Sequence, residues 1–245
     1  MPASVVRLRP EFPAILGQVT SLGNVMALTR NDDIVHERHG VYQNPSLDKG
    51  PVGLFVGADI DLRIFWQHWS HAFAVREAGH GGQRHSLQFF AHDGSAIHKI
   101  YLTEHSDHAA YDTLVKEFRS DDQDPAVTVQ AAASRRGEMP DSAVDVAAFQ
   151  QDWLALQDTH DFYMLLGKHR VSRNQALRLA PEGHAIRVDN KALRTTITDA
   201  ARTGQPIMVF AGNPGMLQIH TGPVVNVQDA RGWLNVLDPH FNLHV

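Results

Sequence analysis

The chain has 245 residues, of which 43% are hydrophobic and 20% charged, a balance that suits a folded globular interior rather than disorder. A formal charge of −5 argues against a general nucleic-acid binder, which needs a basic face to hold phosphates. With no cysteine, disulfides, thiolate metal sites and cysteine nucleophiles are excluded.

Residues 1–17 carry Arg7, Arg9 and Glu11 with three prolines, so no apolar core of the signal-peptide kind forms there, and no other stretch is long and apolar enough to span a bilayer. The pattern predicts a short helix over Pro13–Leu22. A strand over Val25–Arg30, a turn at Asn31-Asp32-Asp33 and a second strand from Ile34 to Glu37 make a hairpin. Further strands are expected at Gly53–Val56, Ile60–Phe65 and Phe73–Glu77, with a turn or short helix at Trp66–His71. His80 and His85 read as part of a Gly-rich loop. Ser86–Phe90 and Ala96–Thr103 form another hairpin about Asp93-Gly94. Ala110, Leu114 and Phe118 recur at helical spacing and predict a helix over His108–Phe118. Residues 120–145 are polar and read as a linker. The longest helical signal is Ala147–Lys168, where Phe149, Trp153, Leu156, His160, Tyr163 and Gly167 share a face. Helices over Ser172–Leu179, opened by a capping-box pattern, and Asp189–Arg202 follow, then strands at Pro206–Phe210, Met216–His220 and Leu234–Val236.

An internal repeat runs through this series. Val25–Asn31 matches Ile207–Asn213: each is an apolar strand ending in Asn at a turn, followed by a strand that closes on a glycine, Gly40 or Gly222. Ile60–Ile64 likewise matches Phe241–Val245. The first copy continues to Glu104, whereas the second stops at Val245, so its sheet lacks a counterpart of the closing strands. The expectation is an α+β fold of two tandem structural repeats, each an antiparallel sheet with packed helices, the second cut short at its C-terminal end. The division is residues 1–120, a linker over 121–146, and an incomplete repeat over 147–245.

Sixteen histidines supply many candidate metal ligands. His160 stands out because the expected helix puts it on an apolar face, where it is either an iron-binding imidazole or a hydrogen-bonded core histidine. Asp61, Arg63 and Phe65 share one face of a strand. Arg63 either meets an anionic ligand or pairs with Asp61 in solvent. Arg173, with Arg170 and His169 nearby, begins a helix and suits a carboxylate, or is simply a solvated surface cluster. Phe65, Trp66, Phe73, Phe89 and Phe90 either line a flat apolar pocket or belong to the core. His36/His39 on a strand point to opposite faces, and His105/His108 lack a third ligand nearby. H-E-x-x-H, G-x-S-x-G, P-loop and dinucleotide signatures are absent.

Several of these runs, in this order, resemble the bacterial haemin-degrading (haemin-transport) factors of the HemS/HmuS type. They are Ala27–Asn31 with Val35–Glu37, Ile60–Phe65 with Trp69 and Phe73, Ser86–Phe90, His98–Thr103, Val171–Ala176, Gln218–Val224, Asn235–Pro239 and Phe241–His244. The resemblance covers nearly the whole chain apart from the linker. It implies haem held in a cleft, with His160 of Asp158–Phe162 as proximal iron ligand, Arg63 on the distal side, and Phe65 and Arg173 as pocket contacts, Arg173 toward a propionate. It also implies an additional helical segment before Pro13 and a strand hairpin after Val245 in fuller-length members. The function implied is cytoplasmic: haem is received from import machinery for iron utilisation. Three readings stay open: degradation with an external electron donor, since no flavin or nicotinamide motif is present; carriage without ring cleavage; or a truncated paralogue without tight haem binding.

Overall fold

The computed structural model describes residues 4–79, 82–132, 137–158, 161–230 and 232–245. In chain order the elements are β1 (Ser4–Leu8), α1 (Phe12–Val19), β2 (Gly23–Arg30), β3 (Val35–Gly40), β4 (Pro45–Ser46), β5 (Val52–Val56), β6 (Asp61–Phe65), β7 (Trp69–Gly79), β8 (Gly82–Ala91), β9 (Ala96–Ser106) and α2 (His108–Phe118). They continue with α3 (Val146–Leu154), α4 (Phe162–His169), α5 (Arg173–Arg178), α6 (Lys191–Thr203), β10 (Ile207–Asn213), β11 (Met216–Gly222), β12 (Val227–Ala230), β13 (Trp233–Leu237) and β14 (Phe241–His244). The chain divides into two compact units: Met1–Ala132 with Leu193–Val245, and Ala133–Ala192.

The first unit holds two antiparallel sheets. One has nine strands in the order β1-β7-β8-β9-β2-β3-β14-β13-β12, the other five in the order β10-β11-β6-β5-β4. The hairpins that match in sequence, β2–β3 and β10–β11, each take their next strand from the far end of the chain. β14 pairs with β3, with Leu243 opposite His36, and β6 pairs with β11, with Leu62 opposite Gln218. The result is a two-fold-like exchange of strands between the repeated segments. Their turns also bond reciprocally: the Asn31 side-chain amide donates to the Gly212 carbonyl at 2.8 Å, and that of Asn213 donates to the Arg30 carbonyl at 3.1 Å.

The alternation read in β5 and β6 sorts their residues by face. Phe55, Leu62 and Ile64 are fully buried and join Ile15 and Leu16 of α1, Leu114 of α2, Trp69 and Phe89 in the main core. Gly53 is dictated by packing, because a Cβ there would lie 2.3 Å from the Trp66 indole. α2 starts where its cap predicts: Asp107 accepts from the Ala110 N–H at 2.9 Å. α6 buries Ile197 and Ala200 against Val224, Val236, Phe241 and Leu243 in a second cluster.

Part of the polar segment read as a linker is tied down. The Arg7 guanidinium binds the Asp122 carboxylate and the Asp124 carbonyl, and reaches the Ala126 carbonyl at 2.7 Å. Gln123 exchanges side-chain bonds with the Arg7 backbone, and the Gln130 N–H donates to the His92 carbonyl at 2.8 Å.

In the second unit the single helix expected over 147–168 is replaced by two. α3 ends at Leu154, and α4 begins after Asp161, whose N–H donates to the Asp158 carbonyl at 3.1 Å. Asp and Thr bond to nearby backbone and favour caps over helix interiors, and residues 157–161 are polar throughout. The break also lets the apolar stripe fold on itself. Trp153 meets Phe162 edge-on at 4.9 Å, and Phe149, Leu165, Val171 and Ala176 close a small core. Tyr163 and Met164 point away from it and are 79% and 71% exposed.

Candidate functional site

Because Leu62 and Ile64 fill the core, Asp61, Arg63 and Phe65 must face outward from the five-stranded sheet. Register extends that face across the neighbouring strands. Arg63 lies between Leu54 on β5 and Leu217 on β11. Asp61 lies between Val56 and Ile219, with Phe210 of β10 next in the row. Phe65 is opposite Val52. Val56, Met208 and Phe210 are half exposed or more, at 50%, 56% and 54%. The face is an open apolar platform with a single guanidinium near its middle, and exposed apolar patches of this kind mark binding surfaces.

The Arg63 Nη1 donates to the Asp61 carboxylate and to the Leu62 carbonyl, the latter at 3.1 Å. Both partners remain partly exposed, so the pair fixes the guanidinium more than it stabilises the fold. Among the described residues nothing accepts from Arg63 Nε or Nη2, which leaves charged donors for a ligand on this face.

Arg63 and Phe65 are thus brought together. Arg173 belongs to the second unit, where Ser172 caps α5 by accepting from the Gln175 N–H at 3.0 Å. The Arg173 guanidinium rests 5.5 Å over the Phe162 ring. The donor cluster expected around it is already partly used, since His169 Nε2 lies 2.6 Å from the Asp152 carboxylate. His160 lies outside the described residues, as does His80.

The aromatic group, read as either a flat pocket or core, is distributed. Phe89 is core, Trp66 packs on β5, and Phe73 and Phe90 meet at 5.8 Å on the nine-stranded sheet. His85 sits in β8 rather than a loop, because the strands flanking residues 80–81 pair all the way to Gly79 and Gly82. Its Nδ1 is 3.0 Å from that of His108. His36 and His98 are inner residues, and burial pushes each imidazole down to about 3. His98 links the Thr29 and Tyr42 hydroxyls at 2.8 and 2.6 Å. No group of three or more His, Asp or Glu able to hold a metal occurs among the described residues.

Sequence reasoning missed Met208, Phe210, Leu217 and Ile219 as members of the platform. A signal was present: Ile207-Met208-Val209-Phe210 is apolar on both faces, although the strand is at a sheet edge.

Comparison with known proteins brings this geometry together with the sequence runs. The haemin-degrading HemS.ChuX domain matches residues 1–118 and 170–245. The hemin transport protein HmuS of Yersinia pestis is 36% identical over 240 residues, 98% of this chain and 68% of that protein. The holo crystal structure of PhuS, a heme-binding protein from Pseudomonas aeruginosa, superimposes with a TM-score of 0.95 at 45% identity, covering 98% of this chain and 70% of that one. The heme degrading enzyme ChuS of Escherichia coli O157:H7 superimposes with a TM-score of 0.89 at 36% identity, covering 98% and 69%. No helix among the described residues is long and apolar enough to cross a membrane.

Proposed function

The chain belongs to the haemin-degrading HemS.ChuX domain family, and on that premise we propose that it binds haem from import machinery in the cytoplasm and serves iron utilisation. The observation that carries this reading is the open face of the five-stranded sheet, apolar around one guanidinium. A porphyrin is a flat apolar body with anionic edges and a polar iron-ligand axis, and the platform matches it in kind. Each Å² of apolar surface it removes from water contributes about 25 cal/mol. Haem is here cargo or substrate.

His160 is the proposed axial ligand of the iron, carried from the family's D-x-H-x-F motif onto Asp158–Phe162. Arg63 is the proposed distal residue. Its free N–H donors suit a polar ligand or a propionate, and Asp61 holds it in place. Phe65 supplies apolar contact, and Arg173 is assigned to a propionate. Bound haem would supply the redox chemistry of its iron, with electrons from an external donor. The degrading reading requires that chemistry; the carrier reading requires only binding and release.

Titration of the chain with ferric haem, following the Soret band, tests the proposal. Saturable one-to-one binding is expected, with a changed spectrum or lost affinity for His160→Ala and weaker binding for Arg63→Ala. A folded parent that shows no saturable binding would leave the third reading, a paralogue without tight haem binding. With an electron donor added, catalase-insensitive loss of the Soret band favours degradation, and catalase-sensitive loss favours the carrier.

A further inference from the structure

We propose that the first unit carries a second ligand site, on the outward face of the nine-stranded sheet, for an apolar body ending in a single carboxylate. Its floor is Val5 of β1, Phe73 and Val75 of β7 and Phe90 of β8, and its roof is Val127 and Val129 of the segment after α2. The volume of this open groove is about 440 Å³, within the range of small-molecule sites. This cavity is on a different sheet from Arg63, so it goes beyond the proposed haem platform.

The roof is built rather than casually draped. It is tied at one end by Arg7, which holds Asp122 and the Asp124 and Ala126 carbonyls, and at the other by the Gln130 bond to His92. Gly94 gives Val129 room to descend, since a Cβ there would lie 3.2 Å from Val129 Cγ1. Arg7 shares its strand face with Phe73, its register partner. The residue opposite Phe73 of the floor therefore fixes the roof.

The lining is apolar except for His71 and Gln88. Across the strand from Gln88 stands Lys99 of β9, on the same face. Its ammonium is half buried and has no hydrogen-bond or ion-pair partner among the described residues. Burial and the nearby Arg30 and Arg84 lower its pKa, and Glu77, the acid that faces it, is already bonded to Arg84 at 2.6 Å. A partly desolvated cation whose one acidic neighbour is shared with Arg84 gains from a further anion. An apolar cavity with a cation one strand beyond its Gln88 wall suits an amphiphile with an anionic head. Fatty acids and compounds bearing one propionate share that chemistry.

Calorimetric titration with dodecanoate and with dodecanol tests this, on the intact chain and on two variants. Lys99→Met keeps length and apolar volume while removing the charge. Val5→Trp narrows the cavity from a side chain that is 60% exposed, which spares the core. The expected result is one-to-one binding of dodecanoate, about tenfold weaker in Lys99→Met, with dodecanol binding unchanged by that substitution and both ligands weakened by Val5→Trp. Haem added to saturation should leave dodecanoate bound. Absence of saturable binding by the folded parent overturns the proposal. So does binding indifferent to both variants, or binding that haem displaces one for one. Haem titration by the Soret band reads the platform independently, so the two proposals fail separately.

Discussion

The hairpins β2–β3 and β10–β11 are built alike, yet their outward faces differ in kind. Each ends its first strand in an asparagine turn and receives a third strand from the distant half of the chain. On the β10–β11–β6 face the outward residues include Phe210, Ile219, Leu217 and Phe65 around Arg63. On the β2–β3–β14 face the places of Phe210, Ile219, Leu217 and Arg63 hold Leu28, Glu37, Val35 and His244. There the polar groups find partners within the protein, as His244 does with Asn235 at 2.6 Å. A repeated scaffold therefore does not imply a repeated site, because the interior fixes the inward residues and leaves the outward ones free to diverge.

The comparison breaks most severely where the two halves interlock. Phe241 lies face to face with His220 at 3.7 Å and edge-on to His36 at 5.0 Å, whereas its sequence counterpart Ile60 sits in the main core. Phe241→Ala is expected to cost about 3–5 kcal/mol in urea unfolding, more than Ile60→Ala at about 2–5 kcal/mol. The reverse order would mean that the β14–β3 junction is the less tightly packed of the two.

Acid should separate the halves next. His36 corresponds to Gln218, and burial holds His36 and His98 near 3 while unfolded histidines titrate near 6.5. The unfolded chain then binds more protons between those values. Stability contributed by the neutral imidazoles is complete above about pH 6.5 and is lost as the pH falls toward 3, by about 1.4 kcal/mol per pH unit for each group. His36→Gln copies the other hairpin and should flatten that slope by about half. An unchanged slope between pH 6 and 4 would show that His36 does not titrate as a buried group.

Smaller effects are expected at the turns and on the platform. Asn213→Ala removes bonds to the Arg30 and Ile97 carbonyls and from the Gly215 N–H, and Asn31→Ala removes the bond to Gly212 and those from the Asp33 and Ile34 N–H. Each should cost about 1–2 kcal/mol. Arg63→His, which copies His244 onto the platform, should change stability by less than about 1 kcal/mol and show its effect in haem titration instead. A large stability loss there would make Arg63 a structural residue.

Much of this was written locally in the chain. Period-two alternation exposed the Arg63–Phe65 face, and apolar spacing fixed α2 from His108 to Phe118. The repeat of Val25–Asn31 in Ile207–Asn213 showed that two equivalent hairpins would form. Which strand each hairpin would accept was not legible, because β14 and β6 suit either sheet by pattern and their choice rests on contacts across most of the chain. The helix expected over 147–168 failed for a related reason: a periodic apolar stripe is satisfied by one long helix or by two short ones folded together, and the structure has α3 ending at Leu154 and α4 beginning at Phe162. The tied segment after α2 looked like a linker because its anchor, Arg7, lies at the other end of the repeat. For the site, alternation put Arg63 and Phe65 on one face, whereas the roles assigned to them, to His160 and to Arg173 rest on family likeness.

The exchange of strands has a consequence for a growing polypeptide. β3 is complete soon after the start of translation, but the strand that pairs with its outer edge ends at His244. β6 likewise waits for β11. Until β14 and β11 emerge from the ribosome, the edges of β3 and β6 remain open, and pairing of such distant segments is intrinsically slow. The nascent chain is therefore most prone to aggregate in the interval between synthesis of β6 and of β14, when one or both pairings are still awaited.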